Sequence, residues 1–524
     1  MNEGSVLAMY DIRGIQNYIF RTSKVKEAMG ASDLIENIVA KALDHAVSQA
    51  GCKEQAALEW YSAKGYLTYE EDGSRVKVLF VGGGNAYVMF ESEELCIIIN
   101  RYMAKYVLEQ TYSLQLAAAF VPYSGRYKDD YGRLRREMER VKASMAVTRP
   151  YGALPVMKTE LETGYPVTRI CQSQEIGTET FLKWENKKKL HESELDRLIE
   201  NLREKKGVDS MIAVVHIDGN NMGLRIRELL GDAEDYEQAV NQMRKLSYHI
   251  RKSFQTVFHN MNDLFEGMGD GLTEKQFVRK ILAAGDDITY VCRAKIALAT
   301  VEYFCKEIGK MTMTGGREPE DIRRYGFSVC AGVAFMGIHF PFSAAYETAE
   351  QCCESAKLRA KQPEHMDGGR VGSFVDFHIC QNVQARDLEA VRQKEYVTYT
   401  GESLLRRPYA VPVSTDSGEY LERMKKEGTL QEFKSYIRYF RDKNNIPSSL
   451  AKEIRNTYPL GRFQMKLLTA FLASRDIKMP DGTLEMYRTD KDGCLLMATW
   501  YDALEMMDCC ADLEDITGGK EGAE

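Results

Sequence analysis

Apolar positions along this chain switch between a strand-like run and helical spacing, in an order that occurs twice. Residues 5–10 (SVLAMY) predict a short strand ending at Asp11. After a turn at Arg13–Gly14, Ile15, Tyr18 and Ile19, and later Leu34, Ile35, Ile38 and Val39, take helical spacing. Residues 75–81 and 86–90 are β-rich and flank Gly82-Gly83-Gly84-Asn85, a hairpin signal. A helix from Glu93 to Gln110 and a strand from Leu114 to Val121 complete the unit.

The second copy starts at residues 211–217, a strand ending at Asp218. Helical segments follow over Met222–Leu230 and Tyr236–Asn260. Strand 277–283, the turn Ala284-Gly285-Asp286-Asp287 and strand 288–293 form a second hairpin. A helix from Lys295 to Gly309, strand 327–335, helix Ser343–Lys361 and a strand near Val371–Phe377 close it. Strand–helix–strand–turn–strand–helix–strand is the order of a ferredoxin-like sheet, the palm of many nucleotidyl-transferring enzymes. The predicted fold class is α+β, with two ferredoxin-like palms, a small intervening domain and a helical C-terminal bundle.

The boundaries expected are 1–121 for a first palm, 122–207 for an insertion, 208–382 for a second palm and 383–524 for the helical domain. The insertion is charged and irregular, with a basic helix around Arg133–Lys142, Pro150, Pro155, Pro166 and the run Lys187-Lys188-Lys189. In the last segment Leu421, Met424, Phe433, Ile437, Phe440, then Leu467, Leu468, Phe471, and Met497, Trp500, Leu504 fall at helical spacing. The tail from Thr517 to Glu524 is expected to fray.

Composition narrows the class of protein without choosing the chemistry. A chain of 524 residues with 44% hydrophobic and 28% charged residues is ordinary globular protein, in two to four domains. The net charge of −7 gives no global basic field for unselective nucleic-acid binding, although a local basic groove remains open. Its 12 cysteines include no Cys-x-x-Cys, which disfavours a zinc ribbon or a thioredoxin-like redox site. With no signal-peptide pattern and no long apolar run, the expected setting is the reducing cytoplasm.

The candidate chemistry lies at Asp218, Asp286 and Asp287. In a palm the end of the first strand neighbours the tip of the central hairpin, so these carboxylates converge although remote in sequence. Clustered carboxylates repel unless cations neutralise them, and Mg²⁺ or Mn²⁺ suits oxygen ligands and grips a triphosphate. Two such ions activate an attacking ribose hydroxyl and stabilise the leaving pyrophosphate. Gly285 lets the backbone approach a phosphate closely. An Asp-Asp hairpin tip is also ordinary turn chemistry; Asp218 in the right topology is what raises it above that. Lys357 and Lys361, four residues apart, share a helix face suited to a triphosphate, or are surface lysines beside Arg359. Gly82–Asn85 occupies the first palm's hairpin position without carboxylates, which makes that palm a binding half or its turn a plain glycine loop. His216 reads as a packed strand residue.

These residues resemble a known family, the large palm-containing subunit of type III CRISPR effector complexes, which makes cyclic oligoadenylates. The resemblance runs through Asp11-Ile-Arg-Gly14-Ile-Gln16-Asn-Tyr-Ile-Phe20, Gly30-Ala-Ser32, the hairpin Gly82–Asn85, Asp218-Gly-Asn-Asn-Met-Gly223, Ala284–Asp287, and Pro341-Phe-Ser-Ala-Ala to Lys357. It implies that Asp218, Asp286 and Asp287 bind the metals and Lys357 the triphosphate. It also implies that Ser32 and the Gly82-Gly83-Gly84-Asn85 loop lie beside the acceptor nucleotide. Departures from the family pattern are Ala284 for a glycine, Asn220 where a second Asp is frequent, the missing zinc-binding cysteine pairs, and no expected HD nuclease domain ahead of residue 5.

The resemblance implies a nucleotidyltransferase that joins ATP, or another nucleoside triphosphate, into a cyclic oligonucleotide second messenger for antiviral defence. Guide RNA, other effector subunits and an effector activated by the product would be its partners, with no membrane. Two alternatives stay open. One is a non-catalytic RNA-binding scaffold, suggested by Arg133, Arg135, Arg136, Arg140 and Lys187–Lys189; the other is a GGDEF-like cyclic dinucleotide synthase.

Overall fold

A computed structural model of the chain describes residues 4–22, 24–82, 85–146, 154–171, 173–188, 211–231, 235–266, 278–316, 318–367, 369–381, 387–489, 493 and 495–510. Gly83, Gly84, Pro150, Lys189 and the tail 517–524, all named above, lie outside the described residues.

The first sheet is built on Val6–Arg13 (β1), whose apolar run is buried on both faces, so the strand shows no polar alternation. Ala56–Ala57 (β2), Val76–Gly82 (β3), Asn85–Phe90 (β4) and Gln115–Pro122 (β5) complete it in the order β2-β3-β4-β1-β5. The β1–β4, β1–β5 and β3–β4 pairs are antiparallel, which is the ferredoxin-like arrangement with a short extra edge. The second sheet repeats it with Met211–Gly219 (β6), Val278–Ala284 (β7), Asp287–Arg293 (β8), Val329–Gly337 (β9), Phe374–Cys380 (β10) and Tyr409–Ala410 (β11). Its order is β7-β8-β6-β9-β10-β11, with β10 added parallel to β9.

The first palm's helices are Ile15–Phe20 (α1), Val25–Ile35 (α2), Ile38–Gln49 (α3), Glu93–Thr111 (α4) and, after β5, Tyr127–Ser144 (α5). The basic helix α5, predicted beyond residue 121, packs on β5 and β1. Thr178–Lys188 (α6) packs on α2, where the buried Lys183 donates to Tyr18 O and to Glu179, each at 2.8 Å. The second palm carries Met222–Leu230 (α7), Tyr236–Glu266 (α8), Ala297–Ile308 (α9) and, after β9, Phe342–Ala360 (α10). Helix α10 packs across β9, β10 and β6.

The two palms share one hydrophobic core. Helix α8 lies along β3 of the first palm, and its buried Arg244 donates to the carbonyls of Val78 and Leu67, each at 2.7 Å, and of Leu79. The register shift between Val78 and Phe80 leaves the Leu79 carbonyl to be satisfied from outside the sheet. Replacing Arg244 with Met is expected to cost about 2–4 kcal/mol, since it orphans buried carbonyls; the thermal midpoint of the purified chain checks this. Phe20 of α1 stacks on Tyr346 of α10 with ring centroids 3.4 Å apart and planes 10° from parallel, a second joint between the palms.

Three details differ from the sequence expectations. The last strand of the second palm runs Phe374–Cys380 rather than Val371–Phe377, because Arg370–Val371 pairs instead with Met366–Asp367 in a small separate hairpin. Met497 lies in a two-stranded hairpin of Tyr487–Thr489 with Leu496–Ala498, not in a helix; three residues carry no period that distinguishes the two. On the helix Arg462–Ser474, Leu468 is buried whereas Leu467 and Phe471 face outward. The helices Gly418–Glu427, Leu430–Arg441 and Ser448–Thr457 bury Met424, Phe433, Ile437 and Phe440 as the spacing predicts. Trp500 and Met506 are core.

Candidate active site

Asp218 is the penultimate residue of β6 and pairs in register with Cys330 of β9. Asp287 opens β8 opposite Ala284, and between them Gly285 takes φ +69°, a left-handed conformation that glycine enters without cost. The hairpin tip and the end of β6 are in contact through Gly219. A Cβ built there would stand 2.8 Å from Asp286 Oδ2 and 3.0 Å from Asp286 Cβ. Gly219 therefore belongs to the site although its sequence position carries no chemical signal. Gly219→Ala is expected to push Asp286 from its place and to lower any activity of the site by tenfold or more, with little change in overall stability; nucleotide turnover and a thermal melt test the two halves.

Crowding shows in the electrostatics. Burial first, then Asp218, raise the Asp286 carboxyl to about 6. Burial, Asp218, Asp286 and Glu350 raise Asp287 to about 8. Glu350 of α10 is itself raised by burial and by Glu354, Glu347 and Asp218. His216 Nδ1 lies 3.5 Å from Asp287 Oδ1 and 3.1 Å from Thr289 Oγ1. Burial lowers this imidazole to about 4, so it stands beside Asp287 neutral, a packed strand residue as expected. Asp287 Oδ1 is buried and has no hydrogen-bond partner among the described residues. Among the described residues the cation within the cluster is Lys357 of α10, ion-paired with Asp218; burial opposes its charge, but Asp218 outweighs this and raises its pKa.

Among the described residues no group of three His, Cys, Asp or Glu side chains stands ready as a metal cage. The donors nevertheless fit a hard divalent cation. They are all carboxylate oxygens, one of them buried without a hydrogen-bond partner, and after burial it is the neighbouring carboxylates that raise Asp286 and Asp287. Lys357 offsets part of this negative charge at Asp218.

Asn220, at the position where a second Asp is frequent in the resembled family, points inward. Its Nδ2 donates to Gly372 O at 3.0 Å and to Ser328 Oγ at 3.3 Å, so it ties β6 to neighbouring backbone. Lys361 follows the end of α10 with an exposed side chain, and its backbone N–H closes on Lys357 O. Ser32 is buried on α2, which packs on β7. In the first palm's hairpin, Gly82 pairs with Asn85, and a Cβ on Gly82 would meet Ser247 Oγ of α8 at 2.8 Å.

The first palm keeps half of the arrangement. Asp11 of β1 is ion-paired with Lys142 of α5 as Asp218 is with Lys357 of α10. Both lysines stand fifteen residues past the first residue of their helices, 127 to 142 and 342 to 357. Lys142 sits in a run of charges, and the helix read from the sequence begins near Arg133 rather than at Tyr127, so the equal offset shows only in the structure.

No curated protein matches this sequence. Residues 211–364 match the family model for the Cas10/Cmr2 second palm domain. Among solved structures the chain is similar to the Csm1–Csm4 cassette in complex with pppApA, at 13% identity and TM-score 0.53, over 97% of this chain and 69% of that one. It is similar to the cassette in complex with one ATP, at 14% identity and TM-score 0.52, over 96% and 70%. Csm1 of T. onnurineus gives 14% identity and TM-score 0.52, over 97% and 69%. The chain thus has the fold seen in Csm1, and its residues 211–364 match the Cas10/Cmr2 second palm domain.

Proposed function

We propose that this chain is a nucleotidyltransferase that joins ATP, or another nucleoside triphosphate, 3′–5′ into a cyclic oligonucleotide with release of pyrophosphate. The observation that carries the reading is the contact of the β6 end with the β7–β8 hairpin, which gathers Asp218, Asp286 and Asp287 in one crowded acidic site. These three carboxylates would hold Mg²⁺ or Mn²⁺, which when bound lowers the pKa of the attacking ribose hydroxyl and offsets charge on the leaving pyrophosphate. Lys357 leaves Asp218 and pairs with the triphosphate, a charge-assisted contact that orients the donor nucleotide. Ser32 and the Gly82–Asn85 loop border the acceptor nucleotide between the palms. Similarity of fold to Csm1, which has been crystallised with pppApA and with ATP, supports adenine nucleotides as substrates. By the same similarity, a Csm4-like subunit and a guide RNA are the partners, in the cytoplasm, and the product activates a downstream effector.

Incubating the chain, alone and with its partner subunits, with Mn²⁺ or Mg²⁺ and each nucleoside triphosphate, followed by mass spectrometry, tests this reading. Cyclic or linear 3′–5′ oligonucleotides with released pyrophosphate are the expected products. Their absence under all those conditions, from protein that binds Mn²⁺, would refute it.

A further inference from the structure

On the side of α10 away from Asp218, a cavity of about 850 Å³ opens between that helix and the C-terminal helical region. Among the described residues, five arginines and one lysine line it against four carboxylates, in a chain whose net charge is −7. Arg392 is satisfied by Asp376 at 2.8 Å and Arg488 by Asp481 at 3.0 Å, whereas Arg406 meets Glu432 only at 3.6 Å. Glu427 is shared between His365 and Arg359, which it meets only at 3.7 Å. Burial lowers the Arg359 pKa and outweighs Glu427, Tyr409 and Asp376, which oppose that shift, while nearby Arg406 adds to it. Arg423 has its nearest carboxylate, Glu419, at 3.9 Å, and Lys426 is exposed at the rim.

The size is that of a small-ligand pocket. Guanidinium forks match phosphate oxygens, and among the described residues no Phe, Tyr or Trp lines the cavity to stack a base. Glu354, Asp387 and Glu389 are exposed at the margin, where they would repel an extended polyanionic strand but leave room for a short one. We propose that this cavity is a second, non-catalytic site for a ligand bearing a 5′-triphosphate, gripped through its phosphates by Arg359, Arg406, Arg423 and Lys426. A nucleoside triphosphate and a linear triphosphorylated oligonucleotide share that group. Arg359 lies two residues beyond Lys357 on the same helix, which carries the Asp218 site's lysine on its other side. The binding itself requires no catalysis at that site.

Calorimetric titration of the full chain in EDTA with inorganic tripolyphosphate tests this. Saturable binding is expected, falling tenfold or more in Arg423→Glu/Lys426→Glu and at least threefold in Lys426→Glu alone, a rim position that folding does not need. Arg423→Lys and Lys357→Met should stay within about threefold of the native chain. ATP and pppApA should compete, and whichever competes better identifies the source, whereas ApA without 5′-phosphates should not. No saturable binding at millimolar concentration, loss in Lys357→Met with retention in the cavity variants, or an unphosphorylated oligoribonucleotide decamer binding more tightly than tripolyphosphate would each overturn the proposal.

Discussion

Replacing Asp286 and Asp287 together with Ala is expected to reduce oligonucleotide synthesis by at least a thousandfold while the folded chain becomes more stable at neutral pH. The loss follows because two of the three carboxylates that would hold the divalent ions are gone. The gain follows from burial and crowding, since both groups are raised, Asp286 to about 6 and Asp287 to about 8. A carboxyl raised in the folded state binds its proton more tightly there than in the unfolded chain. Its destabilising effect is thus absent below about pH 4 and grows as pH rises through the shifted range. In EDTA, the thermal midpoint of Asp287→Asn should exceed that of the native chain at pH 8, and the difference should fade toward pH 4. Adding Mn²⁺ should raise the native midpoint and leave the double variant's unmoved, by the linkage of binding to folding.

Lys357→Met is expected to separate metal binding from catalysis. Without nucleotide, Lys357 is the counter-charge of Asp218, so it competes with any cation approaching that carboxylate. The variant should bind Mn²⁺ several-fold more tightly than the native chain. With nucleotide the same lysine is the proposed triphosphate anchor, and its loss should lower kcat/KM by about a hundredfold, as removal of a charge-assisted phosphate contact does. Mn²⁺ titration by electron paramagnetic resonance, set beside steady-state kinetics, reads both signs. An inert surface lysine would change neither.

The strands that position the carboxylates are legible from local pattern alone. The runs at 5–10 and 211–217 have the length and bounding turns of buried strands, and the Ala284–Asp287 turn sits between two β-rich segments. Covalent order then places Asp218 beside the hairpin once the sheet is ferredoxin-like. What escapes the local pattern depends on elements far apart in sequence. Gly219 matters because Asp286 occupies the space of its missing side chain. Arg244, one charge among many along α8, matters because a bulge in β3 leaves a carbonyl for it to satisfy. Ser247 against Gly82 shows the same limit, for no property of either residue announces the other. The charged cavity behind α10 gathers arginines from positions 359 to 488, whose spacing along the chain carries no period.

The central claim is that Asp218, Asp286 and Asp287 act together on divalent ions. It is tested most directly by crystals grown with Mn²⁺ and a non-hydrolysable ATP analogue, imaged by anomalous scattering at the manganese edge. The account predicts manganese within about 2.0–2.6 Å of oxygens from all three side chains, with Lys357 moved from Asp218 onto the triphosphate. Analogue bound with no manganese at these carboxylates, and the Lys357–Asp218 pair intact, would contradict it.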